Sequence, residues 1–166
     1  MPGDAIPVYL ARVELPAPRA SGFWRRALPA MYAVIKFLDP LVRGSWQASG
    51  LGLGNVVELR VAGRRTGKYR RILLTLLVDG DRWFLGHPNG HVSWTRNLEA
   101  AGTADIAFRR QAPLHVRARL LAPGEERDRV FRTFGQHPFP ANIVYRLARA
   151  HIRAVGVYFA IEPATA

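Results

Sequence analysis

The stretch Val56-Val57-Glu58-Leu59-Arg60-Val61-Ala62-Gly63-Arg64-Arg65-Thr66-Gly67-Lys68-Tyr69-Arg70-Arg71-Ile72-Leu73-Leu74 decides the fold. Val57, Leu59 and Val61 alternate with Glu58 and Arg60, the period of a half-buried strand. Ile72 to Val78 is almost wholly apolar, as in a strand covered on both faces. Between them, Gly63 to Arg71 packs five basic side chains and two glycines into one turn. From Arg60 to Arg71 there are six Lys/Arg and no acid, which is half of the formal charge of +12. Like charges so close repel one another unless solvent or an anion sits among them. The turn is therefore either a solvated basic hairpin or a docking site for a phosphorylated ligand.

Downstream, Asp79-Gly80 is a hairpin signal leading into a strand from Arg82 to Gly86. Ser93 is placed to cap a short helix, Trp94 to Ala101, with Gly102 as its C-terminal stop. Strands are expected at Ala104–Phe108 and Leu114–Leu121, then a helix from Glu125 to Phe134 with Val130, Phe131 and Phe134 on one side. After a break at His137-Pro138-Phe139-Pro140, Asn142 to Arg153 reads as a helix and Val155 to Ile161 as a last strand. Six strands interrupted by a few helices predict an α+β fold built on a compact barrel.

Upstream, residues 1–22 are rich in Pro, Ala and Gly and read as an extended leader. Apolar residues at spacings of three, four and seven predict a helix from Phe23 to about Val42, with Pro29 near its start, Pro40 at its end and Gly50 to Gly54 breaking the chain. The division expected is a leader and apolar helix over 1–50 and a barrel domain over 51–166. The 166 residues, 49% hydrophobic, suffice for a single core. There is no cysteine, so disulfides and thiolate chemistry are excluded. The first residues lack a secretory signal, and no apolar stretch is long enough to span a bilayer. A cytoplasmic protein is expected. Arg25, Arg26, Lys36 and Arg43 flank the greasy helix, so peripheral membrane contact through residues 23–43 is an alternative to packing on the core.

Several chemistries fail on spacing. A P-loop needs four residues between its glycines, then Lys-Ser/Thr and a helix; here three residues separate Gly63 from Gly67, Tyr69 follows Lys68, and a strand comes next. The glycines before residue 55 precede a strand instead of following one, so they form no dinucleotide fingerprint. His87 and His91 lie four apart, but Pro88 and Gly90 between them argue against a helical metal site, and no nearby carboxylate offers a third ligand. Ser93 stands in no nucleophile motif, and the scattered acids do not pair as in a hydrolase. Trp94 and Asn97, three apart, share a helix face beside the turn Gly86-His87-Pro88-Asn89-Gly90, which suggests a ligand pocket.

These segments resemble the deazaflavin-dependent nitroreductase family, split-barrel proteins that use coenzyme F420. The resemblance runs from about Val56 to Glu162 and rests on the Gly63 to Arg70 turn, on Gly86 to Gly90, and on Trp94-Thr95-Arg96-Asn97-Leu98-Glu99-Ala100. It implies a six-stranded split β-barrel with short covering helices and an N-terminal helix. It implies that Arg64, Arg65, Thr66 and Arg70, with Lys68 beside them, hold the phosphate and acidic tail of the cofactor. The backbone from Gly86 through His87 and Pro88 to Asn89 would run along the deazaflavin ring, and Trp94 and Asn97 would complete the pocket. Charge agrees with this independently, because guanidinium groups suit a phosphodiester carrying a glutamate tail. The sequence departs from the family at Tyr69, where proline is common, and in the short stretch from Gly90 to Trp94. Tyr145 is the candidate on the substrate side, with a packing role as its alternative.

The expected activity is hydride transfer from reduced coenzyme F420 to a small organic acceptor, of the nitroreductase or quinone-reductase kind. The cofactor carries that chemistry, so no nucleophile or catalytic dyad is required. Flavin mononucleotide, haem or lipid in the same barrel are alternatives, as is a non-catalytic basic module binding anionic membrane or nucleic acid. No nucleic-acid motif occurs, and aromatics are not interleaved with the basic turn as stacking platforms would be. A homodimer is an open alternative to a monomer.

Overall fold

The structure, a computed structural model, describes residues 21–30, 55–108, 111–139 and 141–164. Seven strands form one antiparallel sheet: β1 Val56–Ala62, β2 Tyr69–Thr75, β3 Leu77–Asp79, β4 Arg82–His87, β5 Thr103–Ala107, β6 Leu114–Leu120 and β7 Val157–Pro163. Their order across the sheet is β2-β1-β5-β6-β7-β4-β3. The two edge strands, β2 and β3, are joined in sequence by Leu76 alone. A sheet whose opposite edges are one residue apart has to curl until they meet, and that closure makes the split barrel.

The same residue explains why seven strands stand where six were expected. Leu76 is buried in the core and its N–H donates to the Asn55 carbonyl at 2.7 Å. This takes it out of the ladder and divides the apolar run Ile72–Val78 into β2 and β3. The run is also not covered on both faces: Ile72 to Thr75 are only half-buried. The strand sandwiched on both sides is β7. Its Val157, Phe159 and Ile161 enter the barrel core with Val57, Leu59, Val61, Leu85, Leu98 and Ile106. Its Tyr158 and Ala160 face the other way, into a second cluster with Phe84, Val130, Phe131, Phe134 and Ile152. Period-2 alternation with both faces apolar is what a strand between two cores requires.

Helices build the outer cluster. α1 is helical over 22–30, and its Leu28 is buried in that cluster. The remainder of the helix expected over 23–42, the leader and the Gly50 to Gly54 break lie outside the described residues, as does Pro140. α2 Ser93–Ala101 lies over the barrel; α3 Glu125–Val130, a 3-10 turn Thr133–Gln136, α4 Ala141–Leu147 and α5 Arg149–Val155 follow. The single helices expected over 125–134 and 142–153 are each divided. In the first, the tighter 3-10 turn brings Gln136 against the edge of β3. There its side-chain amide accepts from Val78 N–H at 2.9 Å and donates to Val78 C=O at 2.6 Å, standing in for a strand partner. In the second, the break falls at Ala148, which is fully buried in the outer cluster.

α2 begins at Ser93, not after it. Thr95 performs the capping instead: its hydroxyl accepts from Val92 N–H at 2.8 Å and donates to Val92 C=O at 2.9 Å. Gly102 ends the helix with φ of 66°, as its place in the sequence suggests. Among the described residues, no helix is long and apolar enough to cross a membrane.

Candidate cofactor site

The basic turn is the six-residue loop between β1 and β2, whose flanking residues pair as Ala62 with Tyr69 and Val61 with Arg70. The Gly63 carbonyl accepts from Thr66 N–H at 3.2 Å and Gly67 N–H at 2.7 Å, and Gly63 N–H closes onto Lys68 C=O at 3.0 Å. Gly67 turns the chain at φ 66°, a conformation that costs a side-chain-bearing residue roughly 1 kcal/mol. Thr66 Oγ1 accepts from Lys68 N–H at 3.4 Å, so its hydroxyl helps to shape the loop.

Register sorts the charges. Cross-strand partners share a face, so Arg70, opposite Val61, lies on the barrel-interior side at the mouth. Arg71, opposite Arg60, lies on the outer side, where Arg60 pairs with Glu58 at 2.7 Å. Arg64, Arg65, Lys68 and Arg70 are all exposed. Among the described residues none of these four has an ion pair to an acid.

Arg64 is the member that is held. Its backbone N–H and its guanidinium both donate to Asn97 Oδ1, at 3.3 and 3.1 Å. Asn97 is buried on α2 beside Trp94 and Leu98, and those two belong to the barrel core. The sequence-derived turn and the helix face are thus one structure: a rigid helix carries an amide that pins the start of the basic loop.

The third segment, Gly86 to Gly90, ends β4. Here β4 pairs with β7 as far as His87 with Val157, while its ladder to β3 stops at Phe84. Gly86 is obligatory: a Cβ there would lie 2.0 Å from Tyr158 Cδ1 and 2.7 Å from Val157 O. Pro88 is buried. Asn89 N–H donates to His87 Nδ1 at 3.3 Å, and burial pushes the His87 imidazole down to about 4. His91 faces Glu99 of α2 at 3.6 Å, a carboxylate the spacing of the sequence did not bring forward.

Tyr145 lies elsewhere. It is buried in the outer cluster, 3.8 Å between ring centroids from His137 and edge-on to Phe134. Two concavities also lie away from the basic turn. One of about 570 Å³ is lined by Gly22, Phe23, Arg25, Arg26 and Ala27, and one of about 360 Å³ lies around Gly102, Arg117, Arg119 and Glu162. The basic turn is an exposed rim, the setting an extended acidic tail needs.

Sequence reasoning missed two buried polar residues. His151 of α5 touches Asn89 of the turn that ends β4. Arg127 of α3 donates from Nη2 to the carbonyls of Arg153 and Gly156, at 2.9 and 2.7 Å, closing the end of α5. Neither had a legible signal, since Arg127 sits within Glu-Glu-Arg-Asp-Arg, which reads as a solvated face, and His151 within an ordinary helix.

Coenzyme F420 fits these residues: exposed cations without acidic partners among the described residues, and an arginine fixed to a buried amide. Several solved structures share the fold. An F420-H2 dependent reductase (FDR-A) is 22% identical with a TM-score of 0.52, over 65% of this chain and 94% of that one. A protein described as a domain-swapped dimer is 20% identical with a TM-score of 0.52, over 81% and 99%. HutZ, the haem storage protein from Vibrio cholerae, is 13% identical with a TM-score of 0.51, over 78% and 92%. No curated protein matches the chain. The F420H(2)-dependent quinone reductase family matches residues 44–146, more than half of the sequence. The chain therefore belongs to the F420H(2)-dependent quinone reductase family, oxidoreductases whose cofactor is coenzyme F420.

Proposed function

We propose that this protein passes a hydride from reduced coenzyme F420 to a quinone-like organic acceptor, and that the basic turn and α2 together hold the cofactor. The observation that carries this reading is the double hydrogen bond from Arg64 to Asn97. It fixes the phosphate-binding end of the loop relative to the helix that carries Trp94. When bound, reduced coenzyme F420 supplies the hydride, and the protein supplies orientation and electrostatics.

Arg64, Arg65 and Arg70, with Lys68 and the Thr66 hydroxyl, hold the phosphate and acidic tail through charge-assisted hydrogen bonds. The backbone of β4 from Gly86 and the turn through His87, Pro88 and Asn89 lie along the ring. Trp94 packs the barrel core beneath, and Asn97 ties the two regions together. Three further readings belong to the same proposal: barrel residues 51–166 as the catalytic unit, a homodimer, and surface contact with a membrane through residues 23–43. Phe23, largely exposed beside Arg25 and Arg26, supports the last.

The test is turnover of reduced coenzyme F420 by purified protein with a small soluble quinone, followed through the visible band of the oxidised cofactor. Turnover that needs both cofactor and quinone supports the reading. No turnover, with tight flavin mononucleotide binding or salt-dependent DNA binding instead, would replace it.

A further inference from the structure

His151 is almost completely buried, at 1% exposure, yet both of its ring nitrogens are engaged. Nδ1 accepts from Ser21 N–H at 3.1 Å, and Nε2 lies 3.1 Å from Asn89 Oδ1. An N–H donor on one side and a carbonyl acceptor on the other leave one consistent arrangement. The ring is neutral, Nδ1 carries no proton, and Nε2–H donates to Asn89. Three elements distant in sequence meet at this ring: the start of α1, α5, and the turn that ends β4.

Both contacts have consequences. Ser21 is the residue whose carbonyl accepts from Arg25 N–H at 3.1 Å, so His151 holds the first turn of α1 from outside the helix. Asn89 gives its oxygen to His151, so among the described residues the group of its carboxamide without a partner is the Nδ2 amide, a donor. That donor sits in the ring-side turn, whose backbone N–H at the same residue is already committed to His87.

We propose that His151 is a positioning residue that locks the Asn89 carboxamide with its NH2 group toward the cofactor and couples that orientation to the docking of α1. This deepens the function proposed above and rests on it, because the donor's target is the polar edge of the deazaflavin. Burial and the nearby Arg25 both lower the His151 pKa, which keeps the ring in the neutral form the two contacts require. The other titratable group at this turn, His87, is also held neutral by burial.

Three variants and three readouts test the coupling. His151→Leu removes both contacts. His151→Gln keeps one acceptor and one donor. Ser21→Pro deletes the N–H bonded to Nδ1, together with the Ser21 hydroxyl, while leaving the carbonyl that accepts from Arg25. On protein without cofactor, ¹⁵N NMR of the imidazole is expected to show Nδ1 unprotonated and Nε2 protonated. Amide exchange across 22–30 and 86–90 should rise together in His151→Leu and in Ser21→Pro, and remain near wild type in His151→Gln. In fluorescence titration, coenzyme F420 affinity should fall about tenfold in His151→Leu and about threefold in Ser21→Pro, and change less than twofold in His151→Gln.

A protonated Nδ1, or exchange at 86–90 that stays at wild-type values in Ser21→Pro, would overturn the coupling whatever the protein binds. If wild type shows the tautomer and the exchange pattern but no affinity for coenzyme F420, the link stands and the functional reading fails. Equal loss of affinity in His151→Gln and His151→Leu would overturn the positioning role.

Discussion

Asn97 Oδ1 accepts two hydrogen bonds from Arg64, one from the backbone and one from the guanidinium, at 3.3 and 3.1 Å. Asn97 is buried and Arg64 is exposed, so the pair converts the rigidity of α2 into a fixed origin for a loop that is otherwise solvated. Replacing Asn97 by Leu keeps the volume and the apolar packing but removes the acceptor. Coenzyme F420 affinity should fall about tenfold, the scale of one charged hydrogen bond, with stability lowered by only about 1 kcal/mol. Arg64→Lys should be intermediate, because the backbone contact survives. Fluorescence titration and urea unfolding separate the two effects.

Gly86→Ala should be far more damaging than its one methyl suggests. The new Cβ would meet both the Tyr158 ring and a backbone carbonyl, and the carbonyl cannot move without disturbing the β4–β7 ladder. Overpacking of this kind costs about 1–3 kcal/mol. A lower unfolding midpoint at unchanged denaturant dependence is the expected result.

Acid should destabilise the protein above the range where carboxylates titrate. Burial pushes His87 and His137 from 6.5 down to about 4, and lowers His151 as well. The folded state therefore holds these rings neutral, while the unfolded chain protonates them below about pH 6.5. Their contribution is complete above that pH and is lost as pH falls toward the folded values, at up to about 1.4 kcal/mol per pH unit for each of His87 and His137. His137 Nε2 is buried with no hydrogen-bond partner among the described residues, so His137→Phe should be tolerated. That variant should also reduce the pH slope of stability between about pH 6.5 and 5.

Salt should weaken cofactor binding more than it weakens folding. The four cations of the turn are exposed, and screening lengths of about 10 Å at 0.1 M act fully on such contacts. Isothermal titration at rising ionic strength should show affinity declining steadily while the thermal midpoint changes little. A salt-independent affinity would move the binding energy away from Arg65, Lys68 and Arg70.

The strand periodicities were legible because burial writes them directly: Val57, Leu59 and Val61 alternate, and they face the core. The Trp94 and Asn97 face was legible for the same reason, as was the Gly102 stop. Breaks were less visible. Leu76 leaves its ladder for a hydrogen bond to Asn55, and Ala148 divides a helix where it packs into the outer cluster. Both events are tertiary, and neither residue type signals them. His151 was hidden for a related reason. Its importance lies in partners 130 and 62 residues away, Ser21 and Asn89, and no local pattern carries that information.

The central claim is that the basic turn holds the acidic end of coenzyme F420, and a fluorescence titration of wild type against Arg65→Glu and Arg70→Glu tests it most directly. Both positions are exposed, so reversal should leave folding intact. The account predicts micromolar or tighter binding by wild type, weakened about tenfold or more by either reversal. Affinity for coenzyme F420 that is unchanged in both variants would contradict it.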